Sequence, residues 1–462
     1  MSFLFRREFL ASGALGLAGL AAPGWLRSAL SANAREELKI TDIQAHEVCP
    51  PFHDYNARWL FRYHGLGIQL RTIYVVKTQS GLEGIGESWG RLPENDPSSR
   101  YIGSSAFDWI GDTRNLAINM AVYDLMGKYL GLPCWKLIGP RVRTWVPVAA
   151  WTASQPPEGM AEEAVNVAGR GFHWLKYHVD VIQNVVDQTE AIQKVAPPGF
   201  KVHYDFNADS NVEAVEPVLK ELEKFSVAGR IEDPLRAVDH DGYRILREGC
   251  SLPILIHHGP ADYFMRHGLC DGFMAGHAPV GHAAKLAGMA ESANTPFMLQ
   301  QCGGTINQAF LAHEAAVFKM AILDHVSLCH LWKEDVTVET MPVVNGSVQV
   351  LGKPGLGVTL DRDKLRRLSQ APRPRQDRFL VRMRYRNGFR VYFRFDPDAP
   401  GSNLRFLNPP DVPGPRLQRG TSGYANPVVT DFWDEEGSQD FERLWRETES
   451  GPVWKSERES TG

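Results

Sequence analysis

Polar and titratable residues end several short apolar segments in the middle of the chain. Lys176 and His178 end one segment, Asp205 and Asn207 follow the next, and Glu232 ends a third. Side chains at i and i+2 of a strand point to the same side, so Lys176 and His178 should face one pocket. Two carboxylates in that pocket, Asp205 and Glu232, repel each other unless a proton or a cation lies between them. Such hard oxygen ligands predict a divalent metal ion, with Lys176 and His178 placed to move a proton beside it.

Eight short apolar segments, each followed by a helical pattern, carry these residues. Most of the segments start about 25–30 residues apart, as expected for a repeated strand–helix unit. Eight units predict an α/β fold, a (β/α)8 TIM-type barrel with its chemistry at the C-terminal strand ends. An open doubly wound sheet is the alternative, and the lack of a glycine-rich phosphate turn disfavours it. The predicted strands are Val146–Ala150, Trp174–His178, Val202–Phe206, Gly229–Glu232, Ile254–His257, Gly272–Ala275, Phe297–Gln300 and Val326–His330.

An α+β capping domain is predicted before the barrel, over residues 35–145, and is completed by residues of about 341–368. Its strands are Ile40–Val48, Ile68–Thr78 and Leu82–Ser88, the last two joined by a hairpin at Ser80-Gly81. Apolar residues at helical spacing predict a helix over Thr113–Leu130, which ends at Gly131. The barrel itself is assigned to residues 146–340.

The last region, residues 369–462, is a C-terminal extension of different character. The stretch Phe379–Phe395 alternates around Asn387-Gly388 and predicts a basic β-hairpin with a type I′ turn. Arg382, Arg384 and Arg386 would share one face of its first strand. That face is either a strip that binds phosphate or a partner, or a solvated or inter-subunit surface.

Residues 1–34 are predicted to be a twin-arginine signal peptide that exports the protein to the periplasm. Arg6-Arg7 precedes Phe9-Leu10, a short apolar run follows, and Ala32-Asn33-Ala34 offers a small-x-small cleavage site. An ordinary secretory signal or an uncleaved anchor is the alternative. No later stretch is typical of a membrane span, so no membrane association is expected after cleavage.

The overall composition excludes several classes of protein. The 462 residues carry a formal net charge of −4, which gives no argument for a nucleic-acid partner. The six cysteines are scattered without a Cys-x-x-Cys pair, so neither a zinc knuckle nor a disulfide-rich scaffold is indicated.

Five local signatures occur in an order and spacing typical of one family. They are Gly84–Ser88, Ala121–Lys128 followed by Gly131–Pro133, Asp205–Asn207, Ile231–Pro234 and Pro354–Val358. On these residues the chain resembles the enolase superfamily, in its mandelate racemase and muconate lactonizing branch, from about Lys39 to Leu365. The resemblance implies a metal ion that holds a substrate carboxylate while a base removes the proton on the adjacent carbon.

The resemblance assigns roles to individual residues of this chain. It implies that Asp205 and Glu232 are metal ligands and that Lys176 is the first lysine of the family's Lys-x-Lys pair. His178 stands where the second lysine, the usual base, is expected. His258 aligns with the third ligand, normally a carboxylate, whereas His257 should point the other way. Mg²⁺ is the cofactor implied by the family, and an imidazole ligand shifts the preference toward Mn²⁺, Fe²⁺ or Zn²⁺.

Two further departures from the family bear on the reaction. The acid expected on the sixth strand falls near Gly276, and the histidine expected on the seventh falls near Gln300 or Gln301. A racemase or epimerase, which needs bases on both faces of the substrate, is therefore disfavoured. A lyase that needs one base, such as a sugar-acid dehydratase, fits better. The alternative is a barrel without turnover that serves as a binding or assembly protein through its extension.

The segment Pro51–Gly67 connects the first two capping strands. The resemblance places it over the barrel mouth as a loop that selects the substrate, and its donors Arg58, Arg62 and His64 would bind the substrate together with Asn207. The expected partner is a small-molecule carboxylic acid. The resemblance also leaves a symmetric homo-oligomer open.

Overall fold

The computed structural model describes residues 32–64, 66–93, 96–180, 182–208, 210–374, 377–396 and 428–456. Nearly all of the predicted signal peptide lies outside these residues, so export stays a prediction. Within the described residues, no helix is both long and apolar enough to cross a membrane.

The capping domain is a three-stranded antiparallel sheet covered by one long helix. The sheet has the order β1-β2-β3, and helix α3 ends at Gly131 in the left-handed conformation (φ 68°), as predicted. The helix lies close to β3, because a Cβ on Gly84 or Gly86 would overlap a carbonyl oxygen of α3. The elements of this domain are β1 (Ile40–Val48), α1 (Asp54–His64), α2 (Leu66–Gln69), β2 (Arg71–Thr78), β3 (Glu83–Trp89), α3 (Leu116–Leu130) and α4 (Trp135–Ile138).

A TIM-type barrel follows, and its closure excludes the open doubly wound sheet. Seven parallel strands are hydrogen-bonded in the order β11-β10-β9-β8-β7-β6-β5. Parallel bridges from Gln300 to Val326 and from Val148 to His325 close the ring. The strands of this region are β4 (Trp145–Pro147), β5 (Ala150–Thr152), β6 (Trp174–His178), β7 (Lys201–Asp205), β8 (Ala228–Glu232), β9 (Ile254–Ile256), β10 (Gly272–Gly276), β11 (Phe297–Gln300) and β12 (Ser347–Gln349).

Helices alternate with these strands and form the outer layer. They are α5 (Pro157–Gly169), α6 (Val185–Val195), α7 (Val212–Leu222), α8 (His240–Gly249), α9 (Ala261–Arg266), α10 (Val280–Ala293) and α11 (Thr305–Ala315), and α12 (Arg362–Ser369) follows them. Helix α12 lies after the barrel, and the backbone N–H of Cys49 donates to Leu368 O, so the chain returns to the cap there.

The first and eighth predicted strands differ from the structure. Residues Trp145–Pro147 pair antiparallel with β12, and the barrel strand β5 begins only at Ala150. The eighth segment makes its bridges at His325 and Val326 and then leaves the ring, because Leu328 is left-handed (φ 69°) and starts a short 3₁₀ turn.

The segment between β1 and β2 was predicted as a loop and is mostly the helix α1. Asn56, Trp59 and Leu60 are buried at helical spacing. These positions form one side of α1, so the 3.6-residue periodicity was present in the sequence.

The C-terminal extension forms a four-stranded antiparallel sheet with one helix. The strands run in the order β15-β13-β14-β16. The predicted type I′ turn is wrong: Gly388 has a positive φ (85°) but Asn387 does not, and Gly388 N donates to Tyr385 O at 3.1 Å. The elements are β13 (Phe379–Tyr385), β14 (Phe389–Phe395), β15 (Val428–Trp433), α13 (Gln439–Glu447) and β16 (Val453–Ser456).

Two large apolar clusters hold the molecule together. The outer cluster joins the helical layer, the outward faces of the barrel strands and the cap. The inner cluster, here called the lumen cluster, contains the barrel-interior residues Trp151, Leu255, Met274, Met298 and Val326. The same lumen cluster continues into α1 and into one face of the extension sheet.

Candidate active site at the mouth of the barrel

Four of the predicted site residues meet at the C-terminal ends of β6, β7 and β8. The Lys176 ammonium lies 3.0 Å from Asp205 Oδ2 and 2.7 Å from Glu232 Oε2. His178 Nε2 lies 3.1 Å from the same oxygen of Asp205. The parallel register sets His178 beside Asp205 and Asp205 beside Glu232, which explains why strand ends far apart in sequence converge.

The charges of this group support one another. Burial and the nearby Glu232 raise the pKa of Asp205, but Lys176 and His178 outweigh them and the pKa ends below its usual value. Burial opposes ionisation of Glu232 as well, yet Lys176 and His203 hold its pKa well below the usual range. For Lys176, the two carboxylates overcome the effect of burial and raise the pKa. Apart from the imidazoles, the two carboxylates and the one ammonium together carry a charge of −1 in a buried site.

A chain of polar side chains beneath the site fixes Glu232. Arg230 Nε donates to His203 Nδ1 at 3.1 Å, and His203 Nε2 lies 2.8 Å from Glu232 Oε2. Because arginine can only donate, Nδ1 is the bare nitrogen and Nε2 carries the hydrogen toward Glu232. Burial lowers the pKa of His203 to about 4, so the ring is neutral near pH 7. Arg230 in turn pairs with Asp324 at 3.3 Å.

His203 and Arg230 were missed from the sequence. Their signal was alternation: each stands two residues before a predicted ligand, His203 before Asp205 and Arg230 before Glu232, and so faces the barrel interior.

The two histidines after β9 point in different directions. His257 Nδ1 lies 3.1 Å from Glu232 Oε1, whereas His258 Nδ1 lies 2.5 Å from Asp233 Oδ2. Asp233 also accepts the backbone N–H groups of His257 at 2.8 Å and His258 at 3.0 Å. The sequence favoured His258 over His257 for the inward place; the structure puts His257 next to Glu232, and His258 next to Asp233. Asp233 captures the His258 ring, and His257 takes the inward place.

Gly276 makes room for the His257 ring. A Cβ on Gly276 would overlap Nε2 of the imidazole and lie 3.1 Å from its Cδ2 and Cε1. On the next strand, Gln300 Oε1 accepts from Lys176 Nζ at 2.5 Å, while Gln301 Nε2 turns outward and donates to Glu314 at 2.5 Å. The position where the resemblance expects an acid is therefore Gly276, which leaves room for the His257 ring. The position where it expects a histidine is Gln300, whose amide oxygen orients Lys176.

The residues predicted to bind substrate do not all lie at the mouth of the barrel beside Asp205 and Glu232. Asn207 contacts the predicted metal ligand Asp205, because its backbone N–H donates to Asp205 Oδ1 at 3.0 Å. Arg62 is directed to Asp434 of the extension at 3.1 Å. Arg58 is exposed and lies 4.7 Å over the Trp59 ring. The His64 side chain lies outside the part of the chain that the structure describes.

The donors present fit a divalent cation. Asp205 Oδ2 and both oxygens of Glu232 are buried and receive no backbone hydrogen bond, and they face nitrogens of Lys176, His178, His203 and His257. Nearby, ligand atoms of Asp233, His257 and His258 lie within 4.8 Å of one another. His257 therefore belongs to both donor sets, and an oxygen–nitrogen ligand set is available.

These features define a class of protein. It is a TIM-type barrel with an antiparallel capping domain and a candidate metal site at its mouth, where carboxylates lie at the ends of consecutive strands. Residues 159–364 match the family described as enolase C-terminal domain-like. This match spans 206 of the 462 residues, so the barrel region is similar to that family, in agreement with the resemblance to the enolase superfamily given by the sequence motifs.

Several known proteins are similar to this chain. It is 27% identical over 280 residues to D-galactonate dehydratase of Xanthomonas euvesicatoria pv. vesicatoria, covering 55% of this chain and 73% of that protein. It is 26% identical over 280 residues to D-xylonate dehydratase of Haloferax volcanii, covering 53% and 67%.

Solved structures share the fold. A mandelate racemase/muconate lactonizing family protein from Azoarcus sp. EbN1 superposes with a TM-score of 0.60 at 21% identity, over 72% of this chain and 98% of that chain. A dipeptide epimerase from Cytophaga hutchinsonii, complexed with Mg and a dipeptide, gives 0.58 at 20% identity, over 71% and 98%.

Proposed function

We propose that this protein is a metal-dependent lyase that removes the proton α to a carboxylate and dehydrates a hydroxylated acid of the sugar-acid class. The observation that carries the proposal is the convergence of Lys176, His178, Asp205 and Glu232 at one buried strand end. Two relatives named as sugar-acid dehydratases support the substrate class.

His178 is the better candidate for the base. The sequence left Lys176 and His178 open, but an ammonium held between two carboxylates keeps its proton and serves as a fixed positive charge. His178 takes the α-proton, and the electron pair of the C–H bond moves toward the carboxylate. The bond from the β-carbon to its hydroxyl then breaks, and the departing hydroxyl receives the proton from His178 to leave as water.

Asp205 and Glu232 would hold the divalent ion, with an imidazole from the end of β9 as third protein ligand. The geometry favours His257 for that place, and the resemblance to the family favours His258. A bound ion would supply Lewis-acid stabilisation of the negative charge that develops on the substrate carboxylate. Magnesium is the family's metal, and an imidazole ligand favours manganese, iron or zinc.

The other functions have less support. A racemase needs a second base on the face of the substrate opposite His178, and at the seventh-strand position where the resemblance expects a histidine the chain has Gln300, whose amide oxygen accepts from Lys176. A binding role through the basic strip is weakened because Arg382 and Arg384 both pair with Asp431 of the neighbouring strand, at 2.9 and 3.4 Å.

The test uses residues 35–462, freed of metal by chelation and then given Mg²⁺, Mn²⁺ or Zn²⁺ together with a panel of pentonic and hexonic acids. Dehydration is followed by formation of the 2-keto-3-deoxy product, and proton abstraction by α-deuterium exchange in D₂O. Glu232→Gln should lower the rate by at least about 1,000-fold, comparable to removing a main charge stabiliser. Glu291→Gln, on the exposed side of α10, is the matched control. An active Glu232→Gln variant, or a protein that takes up none of the three ions, would overturn the proposal.

We also propose that the protein is exported through the twin-arginine route. The arginine pair Arg6-Arg7 ahead of an apolar run supports this. Replacing both arginines with lysine should retain the protein in the cytoplasm, as measured by cell fractionation. Unchanged export would indicate an ordinary secretory signal instead.

A further inference from the structure

The two faces of the extension sheet have different neighbours. Alternation along β13 turns Leu380 to one face, where Tyr392 and the apolar side of α13 cover it. The opposite face, here called the inner face, carries Phe379, Val381 and Met383. On β14 it carries Val391, Phe393 and Phe395.

The inner face packs against the barrel mouth. Its residues belong to the lumen cluster and not to the cluster that joins cap and helical layer. Thr430 of β15, which pairs with Met383, donates its hydroxyl hydrogen to the carbonyl oxygen of Ile182. Ile182 is fully buried and follows β6, the strand that carries Lys176 and His178. The sheet therefore lies at the end of the barrel where the site is.

Helix α1 is fastened to the same sheet. Arg62 Nη2 lies 3.1 Å from Asp434 Oδ2, and the Arg62 guanidinium is 4.9 Å from the ring centre of Phe432 and 5.4 Å from that of Phe379. Trp59 and Phe432 are also in contact, at 5.9 Å between ring centres. A salt bridge alone contributes little at a surface. The enclosing rings and the small exposure of Arg62, 12%, make this a firmer attachment.

Exposure of the site residues shows where the covered site opens. Lys176 and Glu232 are fully buried, Asp205 is 1% exposed and His178 is 4% exposed. Exposure of the side chain rises to 14% at His257 and 55% at His258. The open side is therefore at the end of β9, away from the contact between Thr430 and Ile182.

We propose that the C-terminal extension is a fixed roof over the catalytic end of the barrel, held by Thr430 and Arg62, and that substrate enters beside His257 and His258. The proposal rests on the proposed function for the claim that this end binds substrate. It gives residues 379–395 and 428–456 a role in shaping substrate access rather than in capturing a separate partner. It also explains why Arg62 is not free to bind substrate.

The position of the roof is tested by cross-linking in the full chain. Thr430→Cys combined with Ile182→Cys should form a disulfide, because the Thr430 hydroxyl reaches the main chain of Ile182 and the Ile182 side chain belongs to the lumen cluster that Thr430 faces. Val429→Cys with Ile182→Cys is the matched control, since Val429 is 58% exposed and alternates to the other face. Mass spectrometry of linked peptides should show the Thr430 pair forming at least about tenfold faster. Equal rates, or no link in folded protein, would overturn the placement.

The entrance is tested on the same cross-linked variant without any need for turnover. Diethyl pyrocarbonate should modify His257 and His258 at least about tenfold faster than His178, and oxidation of the disulfide should leave these rates unchanged. Rapid labelling of His178 in the reduced form that stops on oxidation would show a moving lid and overturn a fixed roof. Where a substrate is turned over, the oxidised and reduced forms should agree within about twofold. A protein inactive on every acid but with this labelling pattern would contradict the proposed function and leave the roof standing.

Discussion

The imidazole of His257 lies in the space beside Gly276 that a side chain at position 276 would need. The position of His257, a candidate metal ligand after β9, therefore depends on the absence of a side chain at Gly276 on β10. Because Gly276 has no positive φ, an alanine is acceptable to the backbone, and its effect falls on His257.

Gly276→Ala should displace His257 from Glu232 and weaken binding of Mn²⁺ or Zn²⁺ by at least about tenfold, with a stability loss of about 1–3 kcal/mol from overpacking. The measurement is isothermal titration of the metal-free protein together with urea unfolding. Gly288→Ala, in α10 with open space around the new methyl, should leave metal affinity unchanged. Equal affinities in the two variants would show that His257 does not hold the ion.

His203 should act on the reaction only through Glu232. Loss of its Nε2–H in His203→Ala frees the Glu232 carboxylate to rotate and leaves Arg230 Nε without its acceptor. We expect metal affinity to fall about 10- to 100-fold, as for other groups that orient a ligand. His203→Gln, which offers an amide N–H in a similar place, should recover part of this loss. No recovery in the glutamine variant, with an unfolding midpoint as low as that of the alanine variant, would indicate a purely structural role.

Asp233 should determine which histidine faces the site. Its carboxylate holds both backbone N–H groups after β9, and its own backbone is left-handed (φ 44°), a conformation that asparagine also tolerates. Asp233→Ala should cost about 2–4 kcal/mol through unpaired buried N–H groups. Asp233→Asn keeps one acceptor oxygen for one of the two N–H groups, so it should cost less than Asp233→Ala. Chemical unfolding of both variants measures the difference, and equal losses would contradict a stabilising role for the hydrogen bond that the asparagine oxygen can still accept.

Glu314 should make the protein less stable as the pH rises. Burial raises its pKa to about 8, and the hydrogen bond from Gln301 lowers it only in part. In the unfolded chain a glutamate has a pKa of about 4.3, so between these values the folded state binds more protons than the unfolded state. The stabilising contribution is complete below the unfolded pKa and is lost as the pH rises through 8.

Glu314→Gln removes this titration. The variant should gain stability relative to the parent between pH 5 and pH 9, as measured by urea unfolding across that range. Glu291→Gln, at an exposed position, provides the control. Stability curves of parent and Glu314→Gln that stay parallel would rule out a buried titrating carboxyl at this position.

Much of the site followed from local pattern. Alternation within a strand and the rule that barrel chemistry lies at strand ends were enough to bring Lys176, His178, Asp205 and Glu232 together. The same alternation also predicts that His203 and Arg230 face the barrel interior, because each stands two residues before a predicted ligand on the same strand. Helix α1 could also have been predicted from the sequence, since Asn56 and Leu60 are four residues apart on its buried side.

Other features depend on residues far apart in the chain. The choice between His257 and His258 follows from the open space at Gly276 and from the contact between His258 and Asp233, and neither is visible in the local sequence. The commitment of Arg62 to Asp434 joins residues 372 positions apart.

The sequence by itself determined the repeated strand–helix units, the capping helix with its glycine end, and the residue types at each strand end, because these depend on periodicity and on neighbours within a few positions. Only the tertiary structure decided which side chains share a pocket and which are drawn away, and where the extension lies. Those outcomes depend on packing between distant segments: the inner face of the sheet is buried only because the barrel mouth offers apolar surface to cover it.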